Sequence, residues 1–362
     1  MARPSAYNSY LHISDIPTQA LSRPQRTWPA MLTLFFLAPI IPEMLTGSTP
    51  PLMFVNPISL LFETGLYGSG AILIRELVRR RGLGWSSIVL LGAAYGIFEE
   101  GLIITSWFNP YWPDLGKLAY YGRVFDTSWI WAIELTIFHA IVSITIPILL
   151  AELLFPAIAD SPWLKKRGVL GFTIWLTVVS LVQLMLFGFL LSRKQGYMHP
   201  PLMYVGAIVM AVGFVWIGLH ARKPEHVTLQ TEARPVPGLW KLRLLGFAVT
   251  LAFFFNAWVL PNIFAFPLIP LLIFFLIVIL SWWTINQWAK RPGWDAQPRL
   301  ALATGVLIFF ALLAPLSEFV LHSSRKNMIG LTIVNLAFLL GLILLARVVA
   351  TREKPIMRIQ AK

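Results

Sequence analysis

The chain contains ten separated runs of 18 or more predominantly apolar residues, and this pattern constrains its fold more than any other feature. A run of this length crosses the hydrocarbon core of a bilayer as an α-helix. Only 12% of the 362 residues are charged, about half the share that is typical of soluble domains. The alternating pattern of outer-membrane barrel strands is absent. The sequence therefore predicts an all-α polytopic transmembrane helix bundle of about ten spans.

The predicted spans divide into two groups, separated by a proline-bearing linker. The spans cover residues 28–47, 57–78, 84–109, 129–155, 168–191, 201–219, 242–262, 267–288, 300–321 and 328–349. The predicted organisation is an N-terminal tail over 1–27, a six-span bundle over 28–220, a linker over 221–241, a four-span bundle over 242–349 and a basic tail over 350–362. The first 27 residues lack the compact apolar core of a signal peptide, so we interpret them as a cytoplasmic tail.

The basic residues cluster between the apolar runs and predict the orientation. With the N-terminus inside, 22 of the 29 Lys and Arg residues fall in inner segments and 6 in outer loops, and Arg75 lies near the inner end of span two. This positive-inside pattern predicts a multi-pass protein of the inner, cytoplasmic membrane with both termini cytoplasmic. It also differs from a nucleic-acid footprint, so the expected partner is the lipid bilayer and no nucleic acid. The chain has no cysteine, which excludes disulfides and thiolate chemistry.

Acidic residues within the spans are concentrated in the first four. A charged residue at a helix centre costs about 2.5–3.5 kcal/mol on insertion scales, so such residues indicate a functional site. Only one intramembrane acid, Glu318, lies in the last six spans. The first four spans contain Glu43, Glu63, Glu76, Glu99, Glu100, Glu134 and Glu152. We interpret Glu76 and Glu152 as snorkelling partners of nearby basic residues at the inner helix ends.

The remaining acids and one histidine share a depth in the membrane. At a rise of 1.5 Å per residue, six residues of four spans lie in the outer half of the bilayer, within about 9 Å of one another in depth. They are Glu43, Glu63, Glu99, Glu100, Glu134 and His139. Carboxylates buried together cannot all stay ionised. We therefore predict a site formed by several helices, with Glu99, Glu100 and His139 at its centre and the other acids around it.

Helical geometry assigns different roles to the two adjacent glutamates. Neighbouring residues diverge by about 100°, so Glu99 and Glu100 are expected to point in different directions. Glu100 shares a stripe with Gly92, Ala93 and Gly96, which permits close approach of another helix, and we interpret it as the structural acid.

Residues one turn apart extend the predicted site. Glu99 lies on the side of Tyr95, whose hydroxyl is a candidate hydrogen-bond donor, and is the first residue to mutate. Ser143 lies one turn from His139 and is a further supporting residue, whereas Glu134 diverges from His139 by about 140°.

An additional pair lies at the outer end of span nine. Glu318 and His322 are separated by four residues and share a helix face. The pair completes the site if span nine packs against spans three and four. The alternative is an interfacial ion pair beside Arg325.

These residue types are compatible with four kinds of site. A carboxylate and an imidazole can activate water by general-base catalysis. The same groups can bind a divalent metal ion or carry protons or cations through a transport cycle. They can also act as structural hydrogen-bonding groups between helices. No motif specifies a metal, a cofactor, an oligomeric state or a choice among a membrane peptide, a lipid and an ion as substrate.

A short pattern resembles the CAAX-processing and bacteriocin-processing (CPBP, Abi) family of glutamate intramembrane proteases. The matching residues are Phe98, Glu99 and Glu100 in one span and Phe138 and His139 in the next. The resemblance implies a helical bundle in which Glu99 or Glu100 is the base and His139 assists at the scissile amide. The family motifs have Arg, Phe and Asn at three positions where this chain has Ile104, Leu135 and Lys326.

The sequence thus favours a membrane-embedded hydrolase-like site that is open to the outer leaflet. A proton- or cation-coupled transporter that uses the same carboxylates and a non-catalytic membrane scaffold are the alternatives. The shared-site hypothesis fails if all distances among Glu99, Glu100, Glu134 and His139 exceed about 8 Å, the reach of one bridging water.

Overall fold

The computed structural model describes residues 26–198, 200–221, 235–318 and 325–360, without the side chains of residues 325, 326 and 354–360. Within these residues, ten helices are long and apolar enough to cross a membrane. In chain order, spans one to ten are Trp28–Leu45, Pro57–Arg80, Trp85–Ile103, Trp129–Leu154, Lys166–Lys194, Pro201–His220, Leu239–Ile263, Leu268–Ala289, Ala296–Ser317 and Asn327–Glu353. The predicted all-α, ten-span architecture is confirmed.

Most span bounds agree with the prediction to within a few residues, but span three ends six residues early. It stops at Ile103 because Thr105 adopts a left-handed backbone with φ of 62°, which a β-branched residue rarely does. Span seven begins within the predicted linker, at Leu239, and the last helix continues to Gln360 through most of the predicted basic tail. Residues 1–25 of the predicted N-terminal tail and residues 222–234 of the linker lie outside the described residues.

Five spans contain a π-helical segment, a rare element in which backbone hydrogen bonds reach five residues back. The segments are Ile40–Leu45, Thr64–Gly68, Ile97–Ile103, His139–Thr145 and Leu184–Leu191. Four of them lie at the predicted depth of the acidic site in spans one to four. The wider turn redirects the side chains that follow relative to an ideal α-helix, so an angular argument based on 100° per residue fails there.

The segment between spans three and four folds into a compact cap over the helix ends. It contains a 3₁₀ helix, Gly116–Ala119, and a two-stranded antiparallel hairpin of Arg123–Val124 and Thr127–Ser128. Trp107 and Phe108, near the start of this segment, are buried and anchor it to the bundle. Two further short helices, Pro51–Phe54 and Pro156–Ile158, lie in other connections.

Span four connects the first six spans to the last four. The Phe138 ring makes edge contacts with Phe254 of span seven and Phe310 of span nine. Beside these contacts, a cleft of about 2290 Å³ separates spans three and four from spans seven to nine, and Phe253 and Phe274 are among its apolar lining residues. The division into a six-span and a four-span bundle stays a prediction.

Arg75 forms the centre of a buried ionic network at the opposite end of the bundle from Glu43. Its side chain is fully buried, and its Nε donates to Glu152 Oε1 at 3.0 Å. Its guanidinium also lies 3.3 Å from the centre of the Trp163 ring and 3.4 Å from Glu76 Oε1. The predicted pairing of Glu76 and Glu152 with nearby basic residues is therefore confirmed, but these two carboxylates are buried inside the protein and do not snorkel.

Candidate functional site

The π-helical segments of spans one to four each contribute a side chain to one cluster. Glu43 comes from the first segment, Tyr67 from the second, Glu99 and Glu100 from the third, and His139 and Ser143 from the fourth. π-Helical segments within α-helices occur frequently at functional sites. The helical rise predicts this depth for the site from the sequence, whereas local periodicity does not reveal the π-helical geometry.

His139 is the centre of the cluster and contacts both adjacent glutamates. Its Nε2 lies 3.3 Å from Glu100 Oε1, and its Nδ1 lies 3.4 Å from Glu99 Oε2. Nδ1 is also 3.0 Å from Ser143 Oγ, the residue one turn away. These distances are well below the limit of about 8 Å for a shared site. The structure therefore brings together the three residues predicted to be central.

The two glutamates converge on one ring although they are adjacent in sequence. We expected Glu99 and Glu100 to point in different directions, and the structure places them at opposite nitrogens of the same His139 ring. The imidazole lies between the two carboxylates, so divergent side chains both reach it. The π-helical turn of Ile97–Ile103 adds to this geometry.

The glycine stripe of span three packs directly against the site helix. A Cβ atom on Gly96 would lie 2.9 Å from the Cβ of His139, and one on Gly92 would lie 3.0 Å from the backbone of Ala140. The predicted close approach of another helix is thus confirmed. Because Glu100 shares this face, the stripe brings it to His139, which argues against a purely structural role for Glu100.

Glu100 is the more accessible of the two glutamates. Its side chain is 13% exposed, against 3% for Glu99 and 2% for His139. Ser106 of the cap donates a hydrogen bond to Glu100 Oε2 and accepts one from the indole Nε1 of Trp131 at 3.0 Å. Ser106 was missed because it lies in a loop far from any motif. Its strained neighbour, Thr105, is typical of backbone held in place at functional sites.

A second hydrogen-bonded group flanks His139 on the side of span one. The Tyr67 hydroxyl donates to Glu43 Oε1 at 2.8 Å, and Thr49 Oγ1 donates to Glu43 Oε2 at 2.7 Å. The Tyr67 ring is stacked on the His139 ring, with 5.9 Å between centroids and 22° between planes. Glu43 is thus connected to the cluster through Tyr67, another residue that the sequence analysis missed.

Tyr95 closes the site between spans two and three. Its ring meets His139 edge-on at 6.3 Å, and a Cβ atom on Gly70 would lie only 2.4 Å from the Tyr95 ring. The Tyr95 hydroxyl is buried near Glu99, but among the described residues it has no partner at hydrogen-bond geometry. The predicted donation from Tyr95 to Glu99 stays a prediction.

Glu63 lies at the edge of the cluster. Its side chain is partly buried, and the Glu43 and Glu99 carboxylates are the charged groups that influence it most. The predicted position of Glu63 near the site is thus retained.

The structure does not bring Glu134 into the cluster. Glu134 Oε1 accepts a hydrogen bond from the Trp258 indole of span seven at 2.8 Å. The reason is the divergence of about 140° between Glu134 and His139, which directs Glu134 toward the last four spans.

The extra pair at the end of span nine is described only in part. Glu318 Oε1 accepts from the Asn327 side-chain amide at 3.1 Å, and His322 lies outside the described residues. The role predicted for the pair stays a prediction.

The cluster offers a compact set of donor atoms. One ligand atom each from Glu99, Glu100 and His139 lie within 4.8 Å of one another. An imidazole between two carboxylates can transfer protons, stabilise a developing charge or bind a cation. The closely packed residues Leu34, Ile144 and Ile148, all fully buried, separate this cluster from the Arg75 network.

Comparisons with known proteins give a family but no activity. The model of an uncharacterised membrane protein family matches residues 32–360. An uncharacterised protein of Archaeoglobus fulgidus is 28% identical over 147 residues, a match that covers 38% of this chain and 44% of that protein. The chain thus matches less than half the length of this relative. No solved structure matches the chain significantly. Neither the family model nor the relative links the chain to the CPBP family.

Proposed function

We propose a hydrolytic function for this chain, which belongs to that uncharacterised membrane protein family because the family model matches residues 32–360. In this proposal the protein is a membrane-embedded hydrolase that activates water with Glu100 and His139. The observation that supports it is the contact of His139 Nε2 with Glu100 Oε1 at 3.3 Å inside a transmembrane bundle. A carboxylate beside an imidazole, sheltered but partly exposed, is a suitable general base.

Each contact of the cluster has a role in the proposed reaction. Glu100 accepts a proton from water as the water oxygen bonds to a carbonyl carbon of the substrate. The proton then passes through His139 to the leaving nitrogen or oxygen as its bond to that carbon breaks. Glu99, 3.4 Å from Nδ1, stabilises the positive charge that His139 carries during this transfer. Ser106 and Ser143 orient Glu100 and His139, respectively.

The location of the site suggests a substrate that is itself in the membrane. The charge asymmetry of the loops assigns the cluster to the outer half of a cytoplasmic membrane. The resemblance of Glu99, Glu100 and His139 to the CPBP pattern suggests the amide bond of a membrane peptide.

The proposal is tested by following oxygen from water into products. Membranes isolated from cells that express the wild type, Glu100→Gln or His139→Gln are incubated in ¹⁸O-labelled water, and the membrane peptides and lipids are compared by mass spectrometry. Glu134→Gln is the matched control, because it alters a buried glutamate that faces Trp258 instead of the cluster. We expect labelled carboxylate products with the wild type and the control, and a loss of at least 100-fold with the two site variants. Identical product profiles for all four proteins would exclude the proposed hydrolysis.

A further inference from the structure

We propose that Glu99, Glu100 and His139 bind a divalent transition-metal ion, with Zn²⁺ as the best match. Metal binding at these residues stands independently of the hydrolytic function, since an ion can bind there whether or not a substrate is cleaved. If both proposals hold, a bound ion would supply the activation of water that the Glu100–His139 pair supplies without it, and these two residues would act as its ligands.

The spacing of the donor atoms agrees with a metal centre. Ligands at about 2.0–2.1 Å from a tetrahedral Zn²⁺ are separated by about 3.3–3.4 Å. His139 Nε2 and Glu100 Oε1 are 3.3 Å apart. One ligand atom each of Glu99, Glu100 and His139 lie within 4.8 Å of one another, and Glu99, which lies at Nδ1 in this structure, would have to move toward Nε2 to complete the set. Three protein ligands with an open fourth position are characteristic of catalytic zinc sites.

Unpartnered polar atoms provide an independent indication of a ligand. Glu99 Oε2 and the Tyr95 hydroxyl are both buried, and neither has a hydrogen-bond partner among the described residues, although Glu99 Oε2 lies 3.4 Å from His139 Nδ1. Glu99 is 2% exposed and Tyr95 is 6% exposed. Buried polar atoms are nearly always hydrogen-bonded, so such exceptions indicate a missing partner such as an ion or water. Both atoms belong to side chains that contact or flank His139.

A contact at the other ring nitrogen of His139 fixes the imidazole in the orientation that a metal requires. Ser143 Oγ lies 3.0 Å from His139 Nδ1. If Nδ1 carries the proton and donates it to Ser143, the lone pair of Nε2 faces Glu100 and is free to bind metal. Metal-ligating histidines commonly have such a partner on the other ring nitrogen.

The charges around the site also favour a cation. The groups that influence Glu99 electrostatically include the carboxylates of Glu100 and Glu43 and a single histidine. Carboxylates in a transmembrane bundle are costly unless they are paired or protonated. A divalent ion neutralises two of them at once. The imidazole donor distinguishes the site from Mg²⁺ and Ca²⁺ sites, which use oxygen ligands.

The test is the metal content of the purified full-length protein. The protein is stripped with chelator in detergent, incubated with Zn²⁺, separated from free ion and analysed by plasma mass spectrometry. We expect about one bound Zn²⁺ per wild-type chain. Co²⁺ in the same protein should give the visible absorption of a four-coordinate site, a readout that does not depend on activity.

Matched variants separate specific binding from general effects of mutation. Glu100→Gln and His139→Gln should lose the bound ion, whereas Glu134→Gln, a buried glutamate outside the cluster, should retain it. Ser143→Ala should weaken Zn²⁺ affinity by roughly 10-fold, as expected for a residue that orients a ligand. Gel filtration and thermal unfolding verify that each variant is folded.

The outcomes distinguish this proposal from the proposed function. Stoichiometric binding without any labelled hydrolysis product supports the metal site and excludes the hydrolase. Labelled product from chelator-treated wild type that binds no Zn²⁺ excludes the metal site and supports the hydrolase. Equal Zn²⁺ content in the wild type, Glu100→Gln and His139→Gln would show surface binding only and overturn the assignment.

Discussion

At the scale of single residues, His139 organises the site because its two ring nitrogens and one face of its ring contact three different side chains. Glu99 and Glu100 contact its nitrogens, and Tyr67 stacks on its plane. Tyr67 also donates to Glu43, so one side chain joins span one to the His139 imidazole. Removal of a single hydroxyl therefore tests how strongly this second group supports the cluster.

We expect Tyr67→Phe to destabilise the protein by about 1–3 kcal/mol, because Glu43 loses a hydrogen bond in a mostly buried site. The ring and its stacking on His139 are retained in this variant, so packing changes little. The measurement is equilibrium unfolding in mixed detergent micelles. Tyr120→Phe is the control, since Tyr120 is 78% exposed and should behave like the wild type. Equal stability of Tyr67→Phe and the control would show that the Tyr67–Glu43 hydrogen bond contributes little.

At the scale of elements, the close contact between spans three and four determines the distance from Glu100 to His139. Gly96 lies where any larger residue would press on the Cβ of His139. We expect Gly96→Ala to cost about 1–3 kcal/mol through overpacking and to weaken Zn²⁺ binding. Gly213→Ala is the control, because a Cβ atom at Gly213 meets nothing within 4 Å. This control should stabilise span six by up to about 1 kcal/mol.

The same unfolding experiment measures both glycine variants, and Zn²⁺ content reports on the site. If Gly96→Ala had the stability and the Zn²⁺ content of the wild type, spans three and four would accommodate the added methyl group without loss of folding free energy. That result would contradict the role of the stripe in positioning Glu100.

The elements also show what the sequence predicts and what it does not. The ten spans follow from long apolar runs, a local property, and the common depth of Glu99 and His139 follows from the helical rise. The π-helical turns and the early end of span three depend on tertiary packing, such as the burial of Trp107 beneath the cap. Ser106 and Tyr67 were therefore missed, although both contact residues that were predicted. The divergence of about 140° between Glu134 and His139 already indicates that Glu134 points away from the cluster.

At the scale of the whole molecule, polar chemistry is divided between the two ends of the bundle. The Glu99–Glu100–His139 cluster lies toward one end, and the Arg75 network, with Glu76 and Glu152, lies toward the other. A packed apolar core lies between the two ends within the first spans. A cleft of about 2290 Å³ lies beside it, between spans three and four and spans seven to nine. The cluster therefore lies nearer one end of the bundle than the other. The charge count of the loops predicts that this end is outside.

The absence of cysteine from the chain permits a direct test of this orientation. Lys117→Cys places a single thiol in the exposed cap beside the site, and Lys165→Cys places one in the exposed loop near the Arg75 network. We expect a membrane-impermeant maleimide to label Lys117→Cys in intact cells and Lys165→Cys only after the cells are opened. The physical reason is the excess of Lys and Arg in the segments assigned to the cytoplasm. Labelling of both variants in permeabilised cells confirms that each thiol is accessible. The reverse pattern in intact cells would place the Glu99–Glu100–His139 cluster in the cytoplasmic half of the membrane and exclude a substrate from the outer leaflet.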